Sequence, residues 1–419
     1  MLMLALAYLR DRGLVTLLNI VLLALAVAML VILLLFSTQA ADRFARDSRG
    51  IDLVVGAKGS PLQLILSSVY HVDTATGNIP LQSLELLRND PGVARAIPLA
   101  LGDSFRGFRI VGTEPDFLGL HDARLAVGRM YAAPGEAVLG AEVARVTGAA
   151  VGQKFVGSHG LDDSQAHAAT PFSVVGVLAP TGTVTDRLIL TSIASVWAVH
   201  GIAHPHAHGD EGSGDHHNHD HATDAPHGAV LDPRGGPQPE ITAILISYRN
   251  AMAAIRLPAA INRQTALQSA SPAAETARLL TLFGAAIEGA RIFAWLLALT
   301  AGLSIFVVLL SASRSREGDM ALLQVMGATR WQVMGVVLLE GLMMAAAGAL
   351  IGLVAGHALI GVGRMAFPTL ADIGLSPWLL HPGEAAIVAA MLGIGTVAAV
   401  IPALRVFRTD LALTLSRGS

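Results

Sequence analysis

The sequence contains no cysteine and only two lysines, Lys58 and Lys154, among its 419 residues. The absence of cysteine excludes disulfide bonds, thiol catalysis and thiolate metal sites. Charged residues make up 14% of the chain and hydrophobic residues 53%, whereas about 25% of a typical soluble domain is charged. The formal net charge of −3 gives no indication of a nucleic-acid partner. The composition therefore indicates a membrane protein that also carries a large water-exposed part.

Several catalytic motifs are also missing from the sequence. It has no Gly-x-Ser-x-Gly nucleophile elbow, no His-Glu-x-x-His pair and no Gly-x-x-x-x-Gly-Lys-[Ser/Thr] phosphate loop. We therefore predict that the chain is not an enzyme and has no intrinsic cofactor. If the protein works with ATP, another polypeptide must bind the nucleotide.

Four long apolar runs predict four transmembrane helices. They cover residues 14–36, 292–312, 333–360 and 385–404, and each can cross a hydrocarbon core of about 30 Å at about 1.5 Å per residue. The first run could also be a cleaved signal peptide, because Thr38-Gln39-Ala40 resembles a cleavage site. Signal peptides usually have only about 7–15 apolar residues, which favours a retained helix.

The long insert at residues 39–288, between the first and second runs, predicts a separate domain. Six segments rich in β-branched residues read as strands: 51–56, 109–112, 137–139, 172–178, 187–191 and 241–248. Residues 81–89, 140–148, 192–200 and most of 250–284 have helical character. We expect 56–80 to be an irregular connection, with a partner-contact loop as the alternative. The predicted fold is therefore membrane α-helical, with four transmembrane helices and a large extracytoplasmic α+β domain inserted between helices 1 and 2.

The arginines predict the orientation in the membrane. They cluster before the first run, between the second and third, and after the fourth, as Arg10, Arg12, Arg314, Arg316, Arg330, Arg405, Arg408 and Arg417. The positive-inside rule then places both termini in the cytoplasm. Residues 1–13 would form an interfacial helix, 313–332 a cytoplasmic loop and 405–419 a cytoplasmic tail. The insert and the short loop 361–384 would lie outside, in the periplasm where one exists.

Three glycines in the third run are spaced for close helix packing. Gly348, Gly352 and Gly356 form a doubled Gly-x-x-x-Gly motif, and small residues four apart let membrane helices approach each other. Glycine is also common in membrane helices in general, and that is the alternative reading.

A histidine-rich tract at residues 200–227 predicts divalent-metal binding. It holds nine of the fifteen histidines, interleaved with carboxylates, and these side chains suit Zn²⁺ and similar ions. The histidines predicted to be metal ligands are His204, His206, His208, His216, His217, His219 and His221. The alternatives are a solvated low-complexity linker and a pH-responsive cluster.

The middle of the segment 314–341, RSREGDMALLQVMGATRWQVMGVVLLEG, reads as a short amphipathic helix that Gly327 ends before the third run. From the residues alone, this helix could equally be a mere connector between two spans. Its residues 316–329 resemble the R-x-E-I-A-L-L-R-x-x-G-A signature of MacB/FtsX-type ABC transporter permeases. Glu340 and the closing Pro-Ala-Leu-Arg at 402–405 agree with that family. Two departures are Gly318-Asp319, where a Glu-Ile pair is usual, and Gln324, where Arg is common. The histidine tract is not part of the family pattern.

The resemblance implies a type VII, mechanotransmitting permease of the bacterial inner membrane. A homodimer would bind cytoplasmic ATPase subunits that carry the ATP. Its further expected partners are membrane lipid and a periplasmic adaptor or substrate protein. The residues expected to couple to the ATPase are Glu317, Met320, Leu322, Leu323, Met326, Gly327 and Trp331. The expected function is efflux or extraction of a lipoprotein, peptide, lipid or metal-related ligand. The alternatives are a regulator that activates an external enzyme and a metal-sensing permease.

Overall fold

The computed structural model describes residues 2–11, 13–159, 171–199, 239–315, 317–366 and 375–407. The chain forms two compact units, which we call the membrane unit and the insert unit. The membrane unit comprises residues 1–43 and 280–419, and the insert unit comprises residues 44–279.

Helices account for all regular structure described in the membrane unit and for part of the insert unit. In chain order they are α1 (Leu2–Asp11), α2 (Gly13–Asp47), α3 (Pro61–Ser68), α4 (Gln82–Arg88), α5 (Ala141–Thr147), α6 (Ile193–Val199), α7 (Ala251–Gln264), α8 (Pro272–Ser315), α9 (Glu317–Val325), α10 (Arg330–Ala366) and α11 (Pro382–Phe407). Helices α2, α8, α10 and α11 are long and apolar enough to cross a membrane. Within the described residues, these four confirm the four predicted spans.

Small side chains allow the four long helices to pack closely. Three alanines of α8, Ala294, Ala298 and Ala301, are fully buried in one apolar cluster with Leu23 and Val27 of α2. Their spacing of three to four residues places them on one face of α8. Since lipid offers no hydrophobic drive for helix association, such close van der Waals contact is what holds a membrane bundle together.

The insert unit is built on a mixed β-sheet. The strands of the unit are β1 (Leu53–Ala57), β2 (Ile79–Pro80), β3 (Val93–Phe105), β4 (Phe108–Gly112), β5 (Leu125–Gly128), β6 (Glu136–Leu139), β7 (Lys154–Phe155), β8 (Ser158–His159), β9 (Phe172–Leu178), β10 (Leu188–Thr191), β11 (Glu240–Ile241), β12 (Ala243–Tyr248) and β13 (Leu267–Ala270). Strands β2 and β11 form a separate two-stranded sheet. The strand order in the main sheet is β13-β1-β12-β3-β4-β10-β6-β9-β5. Pairs β4–β10 and β6–β9 are parallel and the other pairs described are antiparallel. This architecture confirms the predicted α+β class.

The strand β3 and the helix α3 correct the sequence-based prediction. β3 pairs with β12 through its first part and with β4 through its second part, so it joins the two halves of the sheet. It was not predicted. Residues 61–68, expected to be irregular, form α3, because Ser60 Oγ accepts a hydrogen bond from Gln63 N and Pro61 stands in the first turn.

Candidate functional site

The turn between α9 and α10 is held by a glycine C-cap. Gly327 has a φ of 102°, a left-handed conformation that glycine adopts without strain. Ala328 N donates to Leu323 O and Gly327 N donates to Gln324 O, both at 3.0 Å. These two bonds are the Schellman pattern, which satisfies carbonyl groups that the helix end would leave unpaired.

A capping box formed by Thr329 and Gln332 stands at the start of helix α10, which begins at Arg330. Thr329 N donates to Gln332 Oε1 at 2.9 Å, and Gln332 N donates to Thr329 Oγ1 at 3.3 Å. This reciprocal arrangement satisfies two backbone N–H groups at a helix start. The four residues between α9 and α10 therefore form a defined turn with both helix ends capped.

An exposed apolar surface, which we call the coupling patch, lies on α9 and the start of α10. Its members are Leu322, Val325, Met326 and Trp331, with exposed fractions of 59%, 60%, 78% and 67%. The Trp331 ring also contacts the Phe407 ring of α11, with centroids 5.0 Å apart. A cluster of large exposed apolar side chains is typical of a surface that a partner or a membrane covers.

The predicted coupling residues do not all share this surface. Leu323 is half-buried and lines a cavity of about 240 Å³ with Leu4 and Tyr8 of α1 and with Gln332 and Val336 of α10. Glu317 and Met320 belong to α9, but their side chains lie outside the description. Thus Leu322, Met326 and Trp331 face outward, whereas Leu323 faces into the bundle.

The three glycines of α10 lie against α2. A Cβ on Gly348 would stand 2.9 Å from Leu23 Cβ, one on Gly352 would stand 2.5 Å from the Ala24 carbonyl oxygen, and one on Gly356 would stand 3.0 Å from Val31 Cγ1. Real Cβ atoms essentially never come as close as the first two distances, and the third is tighter than nine in ten real Cβ contacts. The backbones of α10 and α2 therefore meet along a line where side chains do not fit.

A polar cluster that the sequence analysis did not predict lies at the end of the bundle away from α9. His357 Nδ1 is 2.7 Å from Pro377 O, and His357 Nε2 is 3.1 Å from Glu384 Oε2. Glu384 Oε1 accepts from His381 N at 3.0 Å. Gln39 of α2 exchanges two hydrogen bonds with the Ser376 backbone, at 2.7 and 3.2 Å. These bonds tie residues 376–381 to α2, α10 and α11.

His357 makes a hydrogen bond through each ring nitrogen, which constrains where the protons lie. A carbonyl oxygen only accepts, so His357 Nδ1 must carry a hydrogen to bond Pro377 O. The second bond then needs one more proton, on His357 Nε2 or on the Glu384 carboxyl. Both side chains are largely buried, with exposed fractions of 16% for His357 and 5% for Glu384. The pair therefore links α10 to α11 through a largely buried hydrogen bond.

The tentative metal ligands His204, His206, His208, His216, His217, His219 and His221 lie outside the described residues. Among the residues that are described, no group of three or more His, Asp or Glu side chains is arranged to hold a metal ion.

Comparisons with known proteins give two family matches. Residues 291–411 match the FtsX-like permease C-terminal model, and residues 16–212 match the MacB-like periplasmic core domain model. No curated protein shows a significant match to the chain.

Two solved structures resemble the chain weakly. One is the periplasmic region of MacB from Actinobacillus actinomycetemcomitans, with 11% identity and a TM-score of 0.34, over 56% of this chain and 97% of that one. The other is the extracellular domain of the noncanonic ABC-type transporter YknZ from Gram-positive bacteria, with 10% identity and a TM-score of 0.29, over 52% of this chain and 98% of that one.

Four helices long enough to cross a membrane, with an α+β domain inserted in the chain between the first and the second, form a multi-pass membrane architecture. The two matched models together span most of the sequence, and the chain belongs to the MacB/FtsX-type family of ABC transporter permeases. It is thus a bacterial inner-membrane protein of a generally non-catalytic family, whose members work with a cytoplasmic ABC ATPase.

Proposed function

We propose that this chain couples ATP hydrolysis in a separate ATPase subunit to movement of its periplasmic-type domain. The observation that carries the proposal is the coupling patch, which presents four large apolar side chains on a short helix with a fixed turn. The arginines at the chain ends and in the α8–α10 connection support a cytoplasmic location for this patch. The ATPase would dock there.

In the same proposal, the chain forms a homodimer that acts on a ligand at the outer face of the inner membrane. A mechanical role fits the bundle, because the described helices α2 and α10 meet without space for side chains at three glycines. The ligand class would be a lipoprotein, a peptide, a lipid or a metal-related ligand. The second candidate function is activation of an external enzyme by the insert unit, driven by the same ATPase.

Co-purification of candidate ABC ATPases with the full chain tests the docking step. The variant Leu322→Asp/Met326→Asp places two carboxylates where the partner would bury apolar groups, and burying unpaired charge is strongly unfavourable. We expect loss of co-purified ATPase and at least a hundredfold weaker association, on the order of 3 kcal/mol. An unchanged yield of complex would contradict the proposal.

Matched control variants are available in the insert unit. Leu86 and Ile255 are exposed to a similar degree, 75% and 73%, so Leu86→Asp/Ile255→Asp makes the same chemical change elsewhere. This control should retain the ATPase. In cells, ATP-dependent export of a solute supports the permease function, whereas ATP-dependent activation of an external enzyme without export supports the second candidate.

A further inference from the structure

A cavity of about 370 Å³ in the insert unit is lined by three arginines from two separate segments of the chain. Arg46 and Arg49 come from the end of α2 and the turn after it, and Arg124 comes from the segment before β5. His121, Asp122 and the hydroxyl side chains of Thr181 and Thr183 complete its polar lining. A volume in this range is typical of small-molecule sites.

The three arginines lack the partners that other arginines of the unit have. Among the described residues, ion pairs join Arg88 to Glu114, Arg129 to Glu136, Arg145 to Glu142 and Arg256 to Asp90. Across the described ranges, no ion pair joins a carboxylate to Arg46, Arg49 or Arg124. Like charges that line one cavity repel each other, and an anion bound among them relieves this repulsion.

Two carboxylates near the cavity, Asp47 and Asp186, are hydrogen-bonded to its rim and do not line it. Asp186 accepts hydrogen bonds from Thr181 N and Gly182 N, both at 2.8 Å, and Asp47 accepts from Val184 N at 2.8 Å. These two acids therefore hold the 181–184 rim in place. Asp122 is the one carboxylate in the lining, so three positive charges face one negative charge.

His121 adds a buried polar group without a partner. Its side chain is only 7% exposed, and its Nδ1 has no hydrogen-bond partner. Burial, with a further contribution from Arg49, lowers the pKa of His121 from 6.5 to about 4, against an opposing effect of Asp122. The imidazole is then neutral at neutral pH and can offer one N–H to a ligand without adding charge.

We propose that this cavity binds a phosphate group, either the headgroup phosphate of an anionic lipid or a free phosphate. The planar guanidinium fork matches phosphate oxygens with paired hydrogen bonds, and three forks exceed what a carboxylate with two oxygens can accept. Arg46 follows Phe36, the last residue of the first apolar run, by ten residues in the same helix. That placement suits a lipid source, and the site is independent of the proposed ATPase coupling.

Binding of dioctanoyl-phosphatidylglycerol and of inorganic phosphate to the detergent-purified full chain tests this site. We expect the triple variant Arg46→Gln/Arg49→Gln/Arg124→Gln to bind the favoured probe at least about tenfold more weakly, since hydrogen bonds to charged groups contribute about 1.5–3 kcal/mol. The control Arg95→Gln/Arg263→Gln removes two exposed arginines of the same unit that do not line the cavity. It should bind like the wild type at matched ionic strength.

A gain-of-binding variant separates loss of the site from misfolding. Asp122→Asn removes the opposing carboxylate and should tighten binding several-fold. If the lipid binds more tightly than inorganic phosphate and phosphate competes with it, the source is a lipid headgroup; if inorganic phosphate binds as tightly, the source is soluble. Wild-type-like binding of both probes by the triple variant, or no binding of either probe by the wild type, would overturn the proposal.

Discussion

The carbonyl oxygen of Ala24 in α2 lies 2.5 Å from the point where a Cβ on Gly352 of α10 would stand. Val27 Cβ is 2.6 Å from the same point. The two helices therefore touch through backbone atoms, which membrane helices do only at the smallest residues.

We expect Gly352→Ala to destabilise the membrane unit. The added methyl forces α10 away from α2, and overpacking of this kind costs about 1–3 kcal/mol. Gly393→Ala in α11 is the matched control, because nothing lies within 4 Å of its Cβ position. Thermal unfolding of the detergent-solubilised chain should show a lower midpoint for Gly352→Ala only. Equal midpoints for the two variants would show that the contact is not tight.

The His357–Glu384 pair should show energetic coupling. Removing one partner takes a hydrogen bond from the other at a largely buried position, so we expect Glu384→Gln and His357→Gln each to destabilise the chain. In a double-mutant cycle, the coupling should be about 0.5–3 kcal/mol. The exposed pair Arg291–Glu288, with a nitrogen–oxygen distance of 3.0 Å, is the control and should couple by at most about 1 kcal/mol. Strictly additive effects at His357 and Glu384 would contradict the assignment.

Acidification should destabilise the insert unit through two buried histidines. Burial, Arg109 and His121 lower the pKa of His71 from 6.5 to about 3, and the pKa of His121 falls to about 4. The unfolded chain therefore binds more protons than the folded chain below pH 6.5. Stability should fall from about pH 6.5 toward pH 3–4, by at most about 1.4 kcal/mol per pH unit for each histidine.

The variant His71→Asn/His121→Asn should flatten this slope. Asn suits position 71, where the φ of 54° is left-handed and Asn is one of the residues that tolerate it. Denaturant unfolding of the full chain at a series of pH values measures the slope, and each single variant should remove part of it. The same slope in the double variant would show that other groups cause the pH dependence.

Replacing the seven tentative ligands His204, His206, His208, His216, His217, His219 and His221 by Asn should remove divalent-metal binding. We propose that Zn²⁺ binds the wild-type tract through neutral imidazoles. Elsewhere, the described residues contain no comparable cluster, so little background binding is expected. Calorimetric titration of the purified chain with Zn²⁺ measures the stoichiometry. Equal stoichiometry in the variant and the wild type would rule the tract out as the site.

The sequence predicted the elements whose pattern is local. The apolar runs stand out because each is much longer than a core strand, and β9 shows alternating burial along its length. The strand β3 was missed because Arg95, Pro98 and Gly102 interrupt its apolar pattern, although tertiary pairing on both sides stabilises it. For α3, the Ser60-Pro61 start signal was present but outweighed by the surrounding turn residues.

The sites that depend on tertiary structure left no such signal. The arginine cavity joins the 46–49, 121–124 and 179–183 segments. His357 contacts Glu384, which lies 27 residues later in the sequence. The outward positions of Leu322 and Met326 on α9 could be predicted from the sequence. The inward position of Leu323 could not, because Leu4 and Tyr8 of α1 help to line the cavity that Leu323 faces.

The capped turn between α9 and α10 has a consequence for the speed and strength of partner binding. Because the Schellman bonds and the Thr329–Gln332 box already fix the backbone, little conformational entropy remains to be lost when a partner docks. Because this turn is not a flexible loop, a displacement of α9 by a partner would also move the start of α10.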